Sequence, residues 1–160
     1  MTTRQTDIIA LLRSSADETE QLYAVLSPEQ LQMPVYSEEV HWTVRQVLAH
    51  LITIEKTMHW LFKNMLEGGP GSPEGFDVAR FNRTQPQKLD HLSMQEMLQR
   101  FRTVREETIA IVAGMTDADF DREGRHVFLG HDRLERFIRW AYEHAHLHED
   151  DVRQALAPPV

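Results

Sequence analysis

The sequence has no cysteine. That removes disulfides, thiolate metal sites and a cysteine nucleophile together, and it accords with a cytoplasmic protein. Long apolar runs are missing too. No stretch approaches the ~20 apolar residues that span a bilayer, and the opening "MTTRQTDIIALLRSS" has no apolar segment of the signal-peptide kind. A membrane is therefore not expected among the partners. Positive charge is also short: the net charge is −8, with no basic patch interleaved with aromatics. A nucleic-acid partner is not expected either. What remains is the composition of an ordinary globular protein, and 160 residues are most simply one domain, 1–160, large enough to bury a core.

Four segments carry helical periodicity, near 5–26, 44–67, 94–113 and 133–156. The first places Ile8, Leu12, Leu22 and Leu26 on one side, and "SPEQL" after it reads as a short helical turn with Ser27 as N-cap and Pro28 at the first position. In the second, Thr43 and Gln46 form a capping box and Gly68-Gly69 supply the stop. Between them Val47, Leu51, Ile54, Met58, Leu61 and Met65 make one apolar stripe. Ser93 and Glu96 box the third, which ends at Gly114. The fourth begins near Asp132 and is stopped by Pro158-Pro159, with Leu134, Phe137, Ile138, Ala141, Ala145, Val152 and Ala155 as its stripe. Nothing reads convincingly as a strand. The expected fold class is all-α, a four-helix bundle, with a long connection over residues 68–91 between helices two and three. Its start is rich in Gly and Pro, while "FDVARFN" suits a short helix. Loops of this length are often lids or ligand contacts, and equally often solvated crossovers.

Near the C-terminus, "YEHAHLHEDDVRQAL" places His144, His146 and His148 within five residues. On a helix His144 and His148 are an i, i+4 pair sharing a face, while His146 points away, towards Glu143, Glu149 and Asp150 and the solvent. His148 lies within the apolar stripe and His144 at its edge. His50 lies at the edge of the second helix's stripe, and His59 falls on the side of Glu55 and Lys63. Three histidines from two helices thus point inward. For one buried histidine, a single hydrogen bond in the core is explanation enough. Three together are costly without a shared partner, and a metal resolves that cost because neutral imidazole is a ligand. A ferritin-like di-iron site needs Glu-x-x-His pairs facing the core. Glu143 and His146 face outward, and Glu123 and His126 lie in the loop "DREGRHVFLG", so that arrangement fails on geometry.

"WTVRQVLAHL" ahead of a helix, "GFDVARFN" in the long connection and "HAHLHEDDVRQAL" at the end together resemble the DinB/YfiT-like superfamily. The likeness runs over nearly the whole chain, including the minor "LSPEQL" and "MTDADF" turns. It implies a four-helix bundle with a triad of metal-binding histidines, one from the second helix and two from a terminal H-x3-H. Carried onto this sequence, these are His50, His144 and His148, the residues that periodicity also selects. Asn82 resembles a recurrent aromatic-Asn element, and His146 lies outside the pattern. The family name records DNA-damage induction, for which the charge here gives no support.

Three neutral histidines leave a divalent ion its full charge and open positions, the ligand count of a catalytic site. One divalent ion, nickel, zinc or iron, is therefore the expected cofactor. Two reactions follow on a small-molecule substrate: hydrolysis by a water the metal activates, or transfer of a small thiol held as thiolate. The thiol must be an external low-molecular-weight cosubstrate, since the chain has no cysteine. The resemblance favours that second reaction, through members that are thiol-dependent S-transferases and isomerases using bacillithiol, mycothiol or glutathione. A non-catalytic, metal-stabilised bundle is the alternative, and no general base is identified. Amphipathic helices with a face to spare, and the habit of related folds, suggest a homodimer.

Overall fold

A computed structural model describes residues 1–159. Three of the four long helices begin where a side chain takes over orphaned backbone N–H groups. The Thr2 hydroxyl accepts from the Gln5 amide at the head of α1 (Thr3–Ala24), and Ser27 and Gln30 box the four-residue α2 (Pro28–Leu31). At α3 (Val44–Leu66) the Thr43 amide donates to Gln46 Oε1 at 3.1 Å, while Thr43 Oγ1 accepts from the Gln46 amide at 3.3 Å. Ser93 and Glu96 repeat the box at α5 (Met94–Ala113). Such caps typically contribute ~1 kcal/mol each. The fourth long helix, α6 (Leu134–Leu156), ends where Ala157 turns extended ahead of Pro158. In the long connection Asp77 caps α4 (Val78–Thr84), the short helix that "FDVARFN" suggests, followed by a 3₁₀ turn at Pro86–Leu89.

The four long helices form the bundle. Helices α1 and α3 lie diagonally opposed, each packed against both α5 and α6. The α3 stripe expected from periodicity, Val47 to Met65, is buried in full, each such side chain contributing roughly 1.5–3 kcal/mol by leaving water. On α1 the inner face differs. The helix ends at Ala24 and not near residue 26, and Ala16, Thr19 and Tyr23 are buried where Leu22 and Leu26 are only half-buried. Tyr23 holds that register because its hydroxyl donates to the Val44 carbonyl at 2.9 Å.

Two short hairpins were not legible as strands. β1 (Pro34–Tyr36) pairs antiparallel with β2 (Trp42–Thr43), and β3 (Glu123–His126) with β4 (Gly130–Arg133). With two to four residues each they are too short to display an alternating pattern. Gly130 closes the second hairpin at φ 73°. Gly71, at φ +94°, lets the long connection lie against β3, where an added Cβ would stand 2.5 Å from the Arg125 carbonyl oxygen.

Two expectations about burial are corrected. His59, left out of the three inward-pointing histidines, is buried, and so is Glu55 beside it. They belong to a closed polar network at the centre of the bundle. Arg105 grips Glu55 with two hydrogen bonds, 2.8 and 3.1 Å, and donates to the Leu12 carbonyl at 2.8 Å. The Thr108 hydroxyl donates to Glu55 at 2.7 Å and lies 2.7 Å from His59 Nε2. Likewise Glu149 does not face solvent but is wholly buried at the contact of α6 with α1, where the Thr19 hydroxyl donates to it. Polar letters look like surface until a partner on another helix is known. Among the described residues, no helix is long and apolar enough to cross a membrane.

Candidate metal centre

The β1–β2 hairpin packs on α3 and α6. Because β2 runs directly into α3, the Thr43 box that starts the helix also fixes Trp42 just ahead of His50. From the other side, Trp140, His144 and His148 recur every four residues and share one face of α6. The structure brings His50, His144 and His148 together: one ring nitrogen from each lies within 4.8 Å of the others. His144 Nε2 is 2.9 Å from His148 Nε2 and 3.4 Å from His50 Nε2.

Stacking fixes the ring planes. His50 lies on Trp42, centroids 4.4 Å apart at 30°, and His144 lies on Trp140, 4.1 Å apart at 21°. Trp140 is itself covered by Phe128 at 5.3 Å. His126 holds that last residue in place, since its Nδ1 accepts from the Phe128 and Leu129 amides at 3.1 and 3.2 Å. His148 is fixed by hydrogen bonds instead. Its Nδ1 is 2.8 Å from the Tyr36 hydroxyl, which in turn contacts the Asp151 carboxylate. A carboxylate only accepts and a phenol has one proton. Tyr36 therefore donates to Asp151 and accepts from His148 Nδ1–H, which leaves the His148 Nε2 lone pair free. Burial, with Asp151 beside it, pushes the Tyr36 hydroxyl well above its ordinary pKa and keeps that proton in place.

The site favours neutral imidazoles. Burial, reinforced by the other two rings, pushes His50 well below its ordinary value. Burial, with His148 and then His126 adding to it, lowers His144 to about 3. Burial also lowers His148, with Asp151 acting against it.

The donor set fits a divalent cation. Ligands ~2.1 Å from one ion stand roughly 3.0 Å apart at a right angle and roughly 3.4 Å apart at the tetrahedral angle. The two Nε2 separations match those spacings. Hydrogen bonding alone does not serve all three nitrogens. If His144 Nε2–H donates to His148, His50 Nε2 is left facing a nitrogen already committed. A cation accepts all three lone pairs.

The triad lines a cleft of about 490 Å³ together with Tyr36, Glu38, Glu39, Val40, Trp42, Asn82, Phe128 and Trp140. Its walls are mainly aromatic. Asn82 reaches it from α4, and its Oδ1 is buried without a hydrogen-bond partner. Among the described residues Glu39, at φ 50°, is the one non-glycine residue held in the left-handed region. Sequence reading found the three histidines and noticed Asn82, but it missed Tyr36, Trp42, Phe128, Trp140 and Asp151 as companions of the triad. Trp140 at i−4 and Asp151 at i+3 of triad members carried a helical-phase signal. Tyr36 and Phe128 come from hairpins and carried none.

No curated protein matches the chain by sequence. Among solved structures, YfiT from Bacillus subtilis, described as "a probable metal-dependent hydrolase with an unusual four-helix bundle topology", superposes with a TM-score of 0.78 at 20% identity, over 97% of this chain and 87% of that one. The colibactin self-resistance protein ClbS, in complex with a dsDNA, superposes with a TM-score of 0.70 at 13% identity, over 96% of this chain and 97% of the other. At these identities the likeness is one of fold. A sequence model of the DinB superfamily matches residues 11–149, from within α1 to the last turns of α6. The chain belongs to the DinB superfamily.

Proposed function

We propose that His50, His144 and His148 hold one divalent metal ion and that the cleft above them is the active site of a metal-dependent enzyme acting on a small molecule. The observation that carries this reading is the convergence of three neutral-favouring imidazoles, with Nε2 atoms 2.9 and 3.4 Å apart, on a cleft with aromatic walls. When bound there, a divalent ion supplies a Lewis acid that lowers the pKa of a coordinated thiol or water. The chain's own groups do the rest. Tyr36 and Asp151 keep the His148 proton on Nδ1, and Trp42 and Trp140 hold two rings flat. Asn82 offers a buried carbonyl oxygen to a substrate N–H or O–H, while Trp42, Phe128 and Trp140 take its apolar part. Glu38 and Glu39 are carboxylates that line the cleft, and in this reading one of them receives the proton released there.

Of the two reactions, transfer of an external low-molecular-weight thiol to an electrophilic substrate is preferred, because superfamily resemblance points there and the chain has no thiol of its own. Hydrolysis is the second reading, favoured by the two cleft carboxylates and by the description of the Bacillus subtilis protein. A small substrate suits a cleft of about 490 Å³ better than a duplex does. The two glutamates and a net charge of −8 would repel phosphates. One experiment tests the reading. Elemental analysis of purified protein beside His148→Ala should show the variant short of one equivalent of divalent metal. Metal-dependent consumption of a thiol with an electrophile then supports transfer, and product release without thiol supports hydrolysis. Equal metal in both proteins contradicts the reading.

A further inference from the structure

We propose that Glu18, His146 and Glu149 form a second divalent-cation site, at the contact of α1 with α6 and separate from the histidine triad. His146 and Glu149 are three residues apart on α6, one helical turn, so both face α1, which supplies Glu18. One donor atom from each lies within 4.8 Å of the others, and His146 Nε2 is 3.1 Å from Glu18 Oε2. That separation is the roughly 3.0–3.4 Å expected of two ligands on one ion.

A second observation points independently to a ligand. Glu149 is 0% exposed, and although Thr19 donates to one of its oxygens, Oε2 has no hydrogen-bond partner. His146 Nε2, although 3.1 Å from Glu18 Oε2, is not aligned for a hydrogen bond to it and has no other partner. Burying a carboxylate oxygen unpaired is costly. The nearby cation does not remove the cost: Arg153 Nη2 stands 4.0 Å from Glu149 Oε2, beyond hydrogen-bond reach, while Nη1 is engaged by Asp150 at 3.1 Å. A divalent ion at the centre satisfies both orphaned atoms. Thr19, bonded to the far oxygen of Glu149, fixes that carboxylate as an outer partner does in metal sites.

The donor set differs from the triad's. Two carboxylates and one imidazole are harder than three imidazoles, and the Glu18 and His146 side chains are 53% and 44% exposed. Such a site keeps water ligands and accommodates Mn²⁺ or Fe²⁺ better than three imidazoles do, although Zn²⁺ still binds it more tightly than either. It also gives a role to the histidine that lies outside the superfamily's pattern.

The test uses the full chain and the metal alone. Metal-stripped wild type, His50→Ala, His146→Ala and His50→Ala/His146→Ala are titrated with Zn²⁺ by calorimetry, and bound metal is counted after desalting. Two equivalents are expected for wild type, one for each single variant and none for the double. In His50→Ala, Mn²⁺ should give a bound-ion electron paramagnetic resonance signal that Glu18→Gln weakens at least tenfold. Both Glu18 and His146 are half-exposed, so these variants keep the fold, which circular dichroism checks. The proposal is overturned if His146→Ala binds as much as wild type, or if the double variant binds as much as His50→Ala. Either result leaves an ordinary Glu18–His146 ion pair. If the triad reading alone is wrong, His50→Ala matches wild type while His146→Ala still loses one equivalent.

Discussion

Helix α3 carries two buried polar clusters that differ in one respect, whether their hydrogen bonds close. Around Glu55 and His59 they do. Arg105 covers both Glu55 oxygens, Thr108 links Glu55 to His59, and the remaining guanidinium edge finds the Leu12 carbonyl. Every charge has a partner within the protein, and none of these four side chains lines the cleft over the triad, so the cluster reads as structural. Five residues earlier His50 is as deeply buried, yet its neighbours are two more imidazoles, and a cleft opens on them. There the nitrogens outnumber the protons that could bridge them. Burial alone therefore does not mark a functional histidine. The reading proposed for the triad rests on an unfinished set of hydrogen bonds that faces a cleft.

Four changes sharpen or break that contrast. The largest effect is expected from Arg105→Ala, which strands the buried Glu55 carboxylate. Removing one partner of a buried pair costs ~3–5 kcal/mol, read as a lower midpoint in urea, and the protein that remains folded should keep its triad metal. A loss below ~1 kcal/mol would mean the network is not closed. Next, His144→Ala should abolish metal at the triad while destabilising the metal-free protein less than Arg105→Ala does. If its stability cost is the greater, the triad is a core element first.

Acid should come third. Burial, with Arg136 adding to it, lowers His126 from 6.5 to about 4, and burial lowers His144 to about 3. The unfolded chain therefore binds more protons than the folded one below about 6.5. Stability present at neutral pH is lost as pH falls from 6.5 towards 4. Burial raises Glu149, which works in the opposite sense, but His50, His59 and His148 are lowered as well. Urea midpoints of metal-free protein measured at pH 7 and pH 5 should show the drop; no change would contradict the buried, neutral state of these rings. The smallest effect is expected from Tyr36→Phe. It removes the hydroxyl between His148 and Asp151 and should weaken metal binding ~10–100-fold with the fold intact.

Much of this was legible in the sequence because it is local. The capping boxes at Thr43 and Ser93 and the stripe from Val47 to Met65 are set by residues within a few turns of each other, and the helices form where those signals place them. The i, i+4 phase of His144 and His148 is local too, which is why the candidate triad could be picked out. What failed was non-local. Glu55, His59 and Glu149 look like surface residues until Arg105, Thr108 and Thr19 arrive from other helices. The hairpins were missed because strands of two to four residues carry no period. With them went Tyr36 and Phe128, two residues that frame the cleft.

The central claim is that three imidazoles from two helices hold one divalent ion. X-ray absorption on zinc-loaded His146→Ala protein tests it most directly, because that variant leaves the triad alone to bind. The account predicts one zinc per chain with three imidazole nitrogens at ~2.0–2.1 Å, and its loss when His144→Ala is added. A zinc with a single imidazole, or an unchanged spectrum after His144→Ala, would contradict it.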